Sequence, residues 1–402
     1  MHALAPARPL SLQAVLTGLL AAFVGFASSF AVILQGLGAV GASPRQAASG
    51  LMALSIAMGV CAIWLSVARR MPISVAWSTP GAALLAAAGP VDGGFAAAVG
   101  GFIACGALIV LAGTWRPLAR AVSAIPAPLA NAMLAGVLLA LCLAPVRAVA
   151  QAPAAGLAIV LAWAVTARFA RLYAVPVAVL VAAVCILATT PVSMAALGPF
   201  APSPAFVMPT LSLAALAGIA LPLFIVTMAS QNVPGIAVLA ANGFRPEPGP
   251  LLVATGAASI VAAPFGGHAV NMAAITAALC AGPDAHPDPQ RRYWAAVVSG
   301  VGYIALGLLA GAATAFVRAA PPVLIEAVAG LALLGAFGAS LMAALSAPRD
   351  REAAVVTFLV TASGLSVGGI GGAFWGLLAG GAVMALERWR RPADPGGAPG
   401  GR

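Results

Sequence analysis

The chain has 402 residues, of which 62% are hydrophobic and only 7% charged, with a mean hydropathy of +1.07. A soluble domain carries about 25% charged residues, so a water-soluble enzyme is excluded. Apolar stretches recur from about residue 15 to residue 386, which excludes a single anchor and also a β-barrel of short alternating strands. The formal net charge of +10 rests on 19 basic residues, all of them Arg. They fall in short loops between apolar spans, so they speak to membrane topology rather than to a nucleic-acid partner.

In chain order, residues 1–14 carry Arg8 but no cleavable leader pattern. Breaks at Arg, at Pro/Gly clusters and at short polar runs then divide the chain into fourteen predicted spans. These are roughly 15–34, 47–67, 73–88, 94–113, 126–144, 154–170, 174–189, 211–229, 249–263, 266–281, 293–316, 322–345, 354–367 and 371–387. The expected fold is an all-α polytopic membrane protein. The first span holds Ser28, Ser29 and Gln35, small polar residues suited to helix packing or to a cavity wall. The five cysteines, Cys61, Cys105, Cys142, Cys185 and Cys280, form no CxxC pair, so neither a metal site nor a disulfide framework is expected. Nothing calls for a cofactor. The tail, 392–402, is rich in Pro and Gly and is expected to be disordered.

The third segment departs from a plain span. Ile73 to Trp77 reads as extended, and Ser78-Thr79-Pro80-Gly81 follows. Thr79 suits an N-cap and Pro80 a first helical position, where its missing N–H costs nothing. The helix so begun has about nine residues before Gly89-Pro90, roughly 13 Å and near half of a hydrocarbon core. The tenth segment repeats the plan: Gly266-Gly267 breaks a helix, His268 to Val270 is extended, and Asn271 can cap a short helix running to about Ala281.

Third of seven and tenth of fourteen are corresponding positions in two halves, about 11–190 and 205–390. Seven is odd, so the halves are inverted relative to each other. Paired interrupted segments at matching positions point to a transporter's binding site, where two half-helix N-termini favour an anion. With both termini on one side, that side holds sixteen of the Arg residues and the other only Arg45, Arg147 and Arg318. The rule that positive loops stay inside puts both termini in the cytoplasm.

Few polar residues lie at membrane depth. Gln231 and Asn232 follow the eighth span, and His268 is the one histidine at a midplane break. Glu326 alone among the acidic residues sits within a span. Such residues are expensive in hydrocarbon and face a cavity or a partner helix. The candidate substrate contacts are therefore Ser78, Thr79, Pro80, Gly81, Gln231, Asn232, His268 and Asn271, and the candidates for proton coupling are His268 and Glu326. Without a fixed carboxylate, the set suits a small carboxylate substrate better than a cation.

Ala76-Trp77-Ser78-Thr79-Pro80-Gly81-Ala82-Ala83-Leu84-Leu85 closely resembles the signature of the benzoate:proton symporter (BenE-type) family. Gln231-Asn232-Val233-Pro234-Gly235 and Gly266-Gly267-His268-Ala269-Val270-Asn271 look like that family's other characteristic stretches. The likeness runs from about residue 10 to 390. It implies proton-driven secondary transport of benzoate or a related aromatic carboxylate at the bacterial inner membrane. It further implies the fold of nucleobase and anion permeases. There a core of spans 1–4 and 8–11 (about 11–115 and 211–316) meets a gate of spans 5–7 and 12–14 (about 124–190 and 321–388), with a homodimer as an expected assembly. The partners so implied are a benzoate-like anion, protons and the bilayer. A nucleobase or inorganic anion permease of the same fold is the alternative. An intramembrane hydrolase is remote: Gly364-Leu365-Ser366-Val367-Gly368 matches GxSxG, but at the end of a Gly-rich span rather than at a strand-to-helix elbow.

Overall fold

The computed structural model describes residues 10–115, 117, 126–189, 201–273, 275–367 and 370–390. The tail from 392 onward lies outside them. Helices dominate because the sequence offers long apolar runs whose backbone groups must be satisfied internally in lipid.

The first half comprises α1 (Leu12–Ala27), α2 (Phe30–Ala39), α3 (Pro44–Arg69), β1 (Val75–Trp77), α4 (Thr79–Ala88), α5 (Gly94–Thr114), α6 (Ala127–Cys142), α7 (Ala144–Gln151), α8 (Pro153–Phe169) and α9 (Ala174–Thr189). The second comprises α10 (Leu213–Ala241), α11 (Pro248–Ala262), β2 (Val270–Met272), α12 (Ile275–Ala281), α13 (Tyr293–Leu308), α14 (Ala310–Ala319), α15 (Pro322–Leu345), α16 (Arg351–Ala362), the strands β3 (Ser366–Val367) and β4 (Ile370–Gly371), and α17 (Gly372–Arg390). Among the described residues, eight helical stretches are long and apolar enough to cross a bilayer, or nine if α13 and α14, bent by 55°, form one span. Each of the fourteen expected segments contains a helix, but α4, α12 and α16 have only 10, 7 and 12 residues, too short to cross alone.

The first span runs as one stretch, Leu12–Ala39, interrupted at Ser28-Ser29 between α1 and α2, where each serine returns its hydroxyl to the Gly25 carbonyl. Two expectations are corrected. The eighth span does not end near residue 229. It continues to Ala241 through two π-helical turns, Leu216–Ala220 and Met228–Asn232, so Gln231 and Asn232 lie within the helix. Such turns widen a helix locally and recur at functional sites. Asn271 caps nothing: it sits inside β2, and α12 starts only at Ile275.

The packing repeats between halves. In the span order used above, α3 (span two) lies on α13 (span eleven), and α11 (span nine) lies on α5 (span four). Inversion exchanges these pairs. Both crossings are floored by facing glycines. A Cβ on Gly59 would come within 2.5 Å of the Gly300 carbonyl, and one on Gly300 within 2.7 Å of that of Gly59. Gly106 and Gly256 do the same across α5 and α11, at 3.0 and 2.8 Å. Small residues let membrane helices approach closely where no hydrophobic gain drives them together. The inversion also maps β1 onto β2, and these pair directly, antiparallel, with Val75 opposite Met272 and Trp77 opposite Val270. The two extended stretches thus form one two-stranded ribbon at the centre of the core.

The ends of the broken segments are pinned. Gly266 takes φ +95°, and Gly267 N–H returns to Ala262 O, which turns the chain out of α11 into the ribbon. Gly50 on α3 leaves room for that turn, since a Cβ there would meet the Gly266 carbonyl at 2.5 Å. α3 ends at Arg70, whose guanidinium donates to Tyr293 Oη at 2.6 Å.

Candidate functional site

The site grows out of the ribbon. Ser78 follows β1 and is the N-cap of α4, a position expected for Thr79. Its Oγ accepts from Gly81 N–H at 3.1 Å, Thr79 opens the helix and Pro80 comes second. Ser78 Oγ also accepts a hydrogen bond from Thr227 Oγ1 on α10 at 2.9 Å. The Ser78 carbonyl accepts from Ala82 N–H at 2.8 Å and faces His268 Nε2 at 2.9 Å, which fixes that nitrogen as the protonated one.

These contacts separate residues that the sequence grouped together. Ser78, Asn232, His268 and Asn271 are fully buried and do not line the cavity described below. Asn232 is spent on the fold: its Oδ1 accepts from Met272 N–H at 2.9 Å and its Nδ2 points at Met228 Sδ at 3.3 Å, tying the π-turn of α10 to β2. Asn271 Nδ2 donates to Met272 O, leaving Oδ1 without a partner. His268 packs edge-on against Phe102, with Nδ1 unpaired. Gly81 is packed against Leu223. Of the candidate substrate contacts named from sequence, Thr79, Pro80 and Gln231 face open space, as do Ser28 and Ser29 of the first span. Glu326 is half-buried on α15, six residues before Ala332, about 9 Å along the helix, and does not reach this space.

That space is a cavity of about 120 Å³, bounded by α1, α3, the ribbon, α4, α10, α12, α13 and α15. The first residues of α4 and the segment leading into α12, represented by Ala273 and Thr276, meet there. No charged side chain lines it among the described residues. Its polar groups are Thr79, Gln231, Thr276, Tyr303 and the two serines of the α1–α2 break. Its aromatic wall is Trp77 and Tyr303, with ring centroids 6.4 Å apart; Phe26, which does not line the cavity, packs against Trp77 at 5.5 Å. Trp77 is held by a hydrogen bond from Nε1 to Ser29 Oγ at 2.8 Å. The α15 side, Ala332, Leu333 and Ala336, is apolar.

Sequence reasoning missed Tyr303, Thr276 and the role of Trp77 as a wall. A signal existed for one of them: of three tyrosines, Tyr303 alone lies in the middle of an apolar span. Gly25 completes the arrangement, because a side chain there would collide with the Tyr303 hydroxyl.

The GxSxG serine takes no part. Ser366 is exposed on β3, in a hairpin, and Gly368 lies outside the described residues.

An anion in the cavity would find the starts of α4 and α12 there, and hydroxyl and amide donors without a fixed counter-charge among the described residues. The comparisons agree with a transport role. Residues 8–386 match the family model described as "Benzoate membrane transport protein". The chain is 45% identical to Inner membrane protein YdcO of Escherichia coli over 373 residues, covering 92% of this chain and 95% of that one. It is 31% identical to a benzoate membrane transport protein of Acinetobacter baylyi over 370 residues, covering 92% and 94%. Two solved structures share the fold at 13% identity. The murine Slc26a9 anion transporter in its inward-facing state has a TM-score of 0.61 over 95% of this chain and 69% of that one. The transmembrane domain of the cyanobacterial bicarbonate transporter BicA has a TM-score of 0.51 over 94% and 96%. By its family match across nearly the whole length, this integral membrane protein is a transporter and belongs to the benzoate membrane transport protein family.

Proposed function

We propose that the protein carries benzoate, or a closely related aromatic carboxylate, together with protons across the bacterial inner membrane by alternating access, with both termini in the cytoplasm. The observation that carries this reading is the pairing of an aromatic wall, Trp77 and Tyr303, with two short-helix N-termini in one cavity free of charged side chains among the described residues. An apolar cavity of about 150 Å³ holds a benzene ring. The cavity of about 120 Å³ is of that order.

In this reading the ring lies against Trp77 and Tyr303. The carboxylate meets the Thr79 N–H and hydroxyl at the start of α4, with Gln231 and Thr276 as further donors. Hydrogen bonds to a charged partner are worth about 1.5–3 kcal/mol each. Ser78, Gly81, Asn232, His268 and Asn271 then act from behind, holding the ribbon and the two helix starts in place. The core consists of spans 1–4 and 8–11 and carries the ribbon. The gate consists of spans 5–7 and 12–14, and its α15 closes the cavity opposite Thr79. The exposed apolar side chains of α8 and α9, such as Leu161, Val165 and Leu180, offer the gate a face for lipid or for a second copy.

One observation favours a second reading, an inorganic anion as substrate. The cavity is small, and both fold neighbours are named for anion or bicarbonate transport. Competition decides between them. Labelled benzoate uptake that unlabelled benzoate suppresses, and bicarbonate, sulfate and uracil do not, supports the aromatic carboxylate. Suppression by bicarbonate or sulfate alone overturns it.

A further inference from the structure

A wider hollow lies apart from the substrate cavity, between α3 and α11. Its volume is about 550 Å³, within the roughly 300–1,000 Å³ of small-molecule sites. Each of the two helices packs closely on another partner, α3 on α13 and α11 on α5. Alanines line the groove left between them: Ala53 and Ala57 on α3, Ala254, Ala257 and Ala258 on α11. No charged, amide or hydroxyl side chain lines it among the described residues.

Inversion exchanges α3 and α11, spans two and nine, and would make the two ends of the groove alike. They differ. At one end Pro204 and Phe265 cover it, and their segments are tied together. Ser49 Oγ accepts from Ala205 N–H and donates to Phe265 O, both at 2.9 Å, and Val207 N–H donates to Pro264 O at 2.7 Å. At the other end the groove runs on. A further hollow of about 540 Å³ shares Trp64, Ala254 and Ala257 with the first and reaches Thr114 and Gly249. Two exposed tryptophans mark this end, Trp64 and Trp115, as they do at membrane–water interfaces. Two exposed arginines stand just beyond: Arg69 closes α3, and Arg245 lies three residues before α11. Glu247 is 3.9 Å from Arg69 and 78% exposed, a pairing that holds the guanidinium only loosely.

We propose that this groove binds one anionic phospholipid, with an acyl chain along the alanines and the phosphate at Arg69 and Arg245. The length fits: Met52 to Trp64 spans about 18 Å along α3, and one leaflet of hydrocarbon is about 15 Å deep. The closed end suits a chain terminus. The open end offers cations at the level of the headgroups, where polybasic surfaces attract anionic lipid. The orientation proposed above makes this the inner leaflet. The binding itself is independent of which anion the protein carries.

Two measurements on the purified full-length protein test the site. Native mass spectrometry after extensive detergent washing reads the lipid that stays bound. One phosphatidylglycerol per chain is expected, at least fivefold over phosphatidylethanolamine. Ala257 is exposed, so Ala257→Leu and Ala257→Trp add bulk to the groove rather than to the core. Retention should fall in both, at least tenfold in Ala257→Trp. Arg69→Gln combined with Arg245→Gln should abolish the preference for the anionic headgroup. The second measurement needs no bulky variant. In vesicles, phosphatidylglycerol brominated on its acyl chains should quench Trp64, read as the difference between wild type and Trp64→Phe, at a lower mole fraction than brominated phosphatidylcholine does. Equal retention of both headgroups by the wild type, undiminished retention in Ala257→Trp, or quenching of Trp64 that ignores the headgroup overturns the proposal. So does a dimer in which a second copy covers the groove and no lipid is retained.

Discussion

Gln231 and Asn232 are adjacent in sequence and have opposite fates in the fold. The π-turn at Met228–Asn232 aims Gln231 at the cavity and Asn232 at the β2 backbone. Gln231→Ala should therefore weaken substrate binding, seen as a raised KM for uptake, and leave the thermal midpoint of the purified protein unchanged. Asn232→Ala removes the acceptor of a buried Met272 N–H, a loss of about 1–3 kcal/mol, and should lower that midpoint. Equal thermal loss in both variants would contradict the assignment. Trp77 is read the same way. Its indole N–H is buried with Ser29 Oγ as acceptor, so Ser29→Ala should cost about 1–3 kcal/mol of stability and free the ring that walls the cavity. Gly25→Ala places a methyl where the Tyr303 hydroxyl stands. It should reduce uptake sharply, and Tyr303→Phe in the same chain, by removing that hydroxyl, should restore part of it.

At the scale of elements, the half-helix α4 depends on its cap. Ser78→Ala deletes the acceptor for Gly81 N–H and for Thr227 at once. A lost N-cap costs about 0.5–2 kcal/mol, so a lower thermal midpoint is expected, with Ser78→Thr retaining most of the wild-type value. No change in Ser78→Ala would show that the cap is dispensable. The broken segments were legible in the sequence because Ser-Thr-Pro-Gly and Gly-Gly are strong local punctuation. Their pairing into a ribbon was not, because Val75 and Met272 are almost two hundred residues apart and antiparallel register is a tertiary fact. The misplaced cap at Asn271 has the same origin: pairing with Ala76 claims the residue for a strand before it can start a helix. The π-turns of α10 carry no composition signal that separates them from ordinary helix. The break at Ser28-Ser29 was visible only as two small polar residues, a pattern equally common in helix packing.

For the whole molecule, the membrane class, the helical fold and the family were legible from composition, span count and three motifs. The cavity wall was not. It draws Tyr303 from span eleven and Ala332 and Ala336 from span twelve, which no local pattern connects to Trp77. In the proposed alternating-access cycle, α15 moves against the ribbon. A single cysteine at Ala336 should react with a water-soluble maleimide in inside-out vesicles, and benzoate should protect it; protection by bicarbonate and not by benzoate would point to the inorganic-anion reading. The most direct test of the central claim is uptake of radiolabelled benzoate into proteoliposomes, with and without an inward proton gradient, against protein-free liposomes, because benzoic acid crosses bilayers unaided. Saturable uptake above that control, stimulated by the gradient and lost in Thr79→Ala, is the expected result. Uptake no greater than in protein-free liposomes under either condition would contradict proton-coupled benzoate transport.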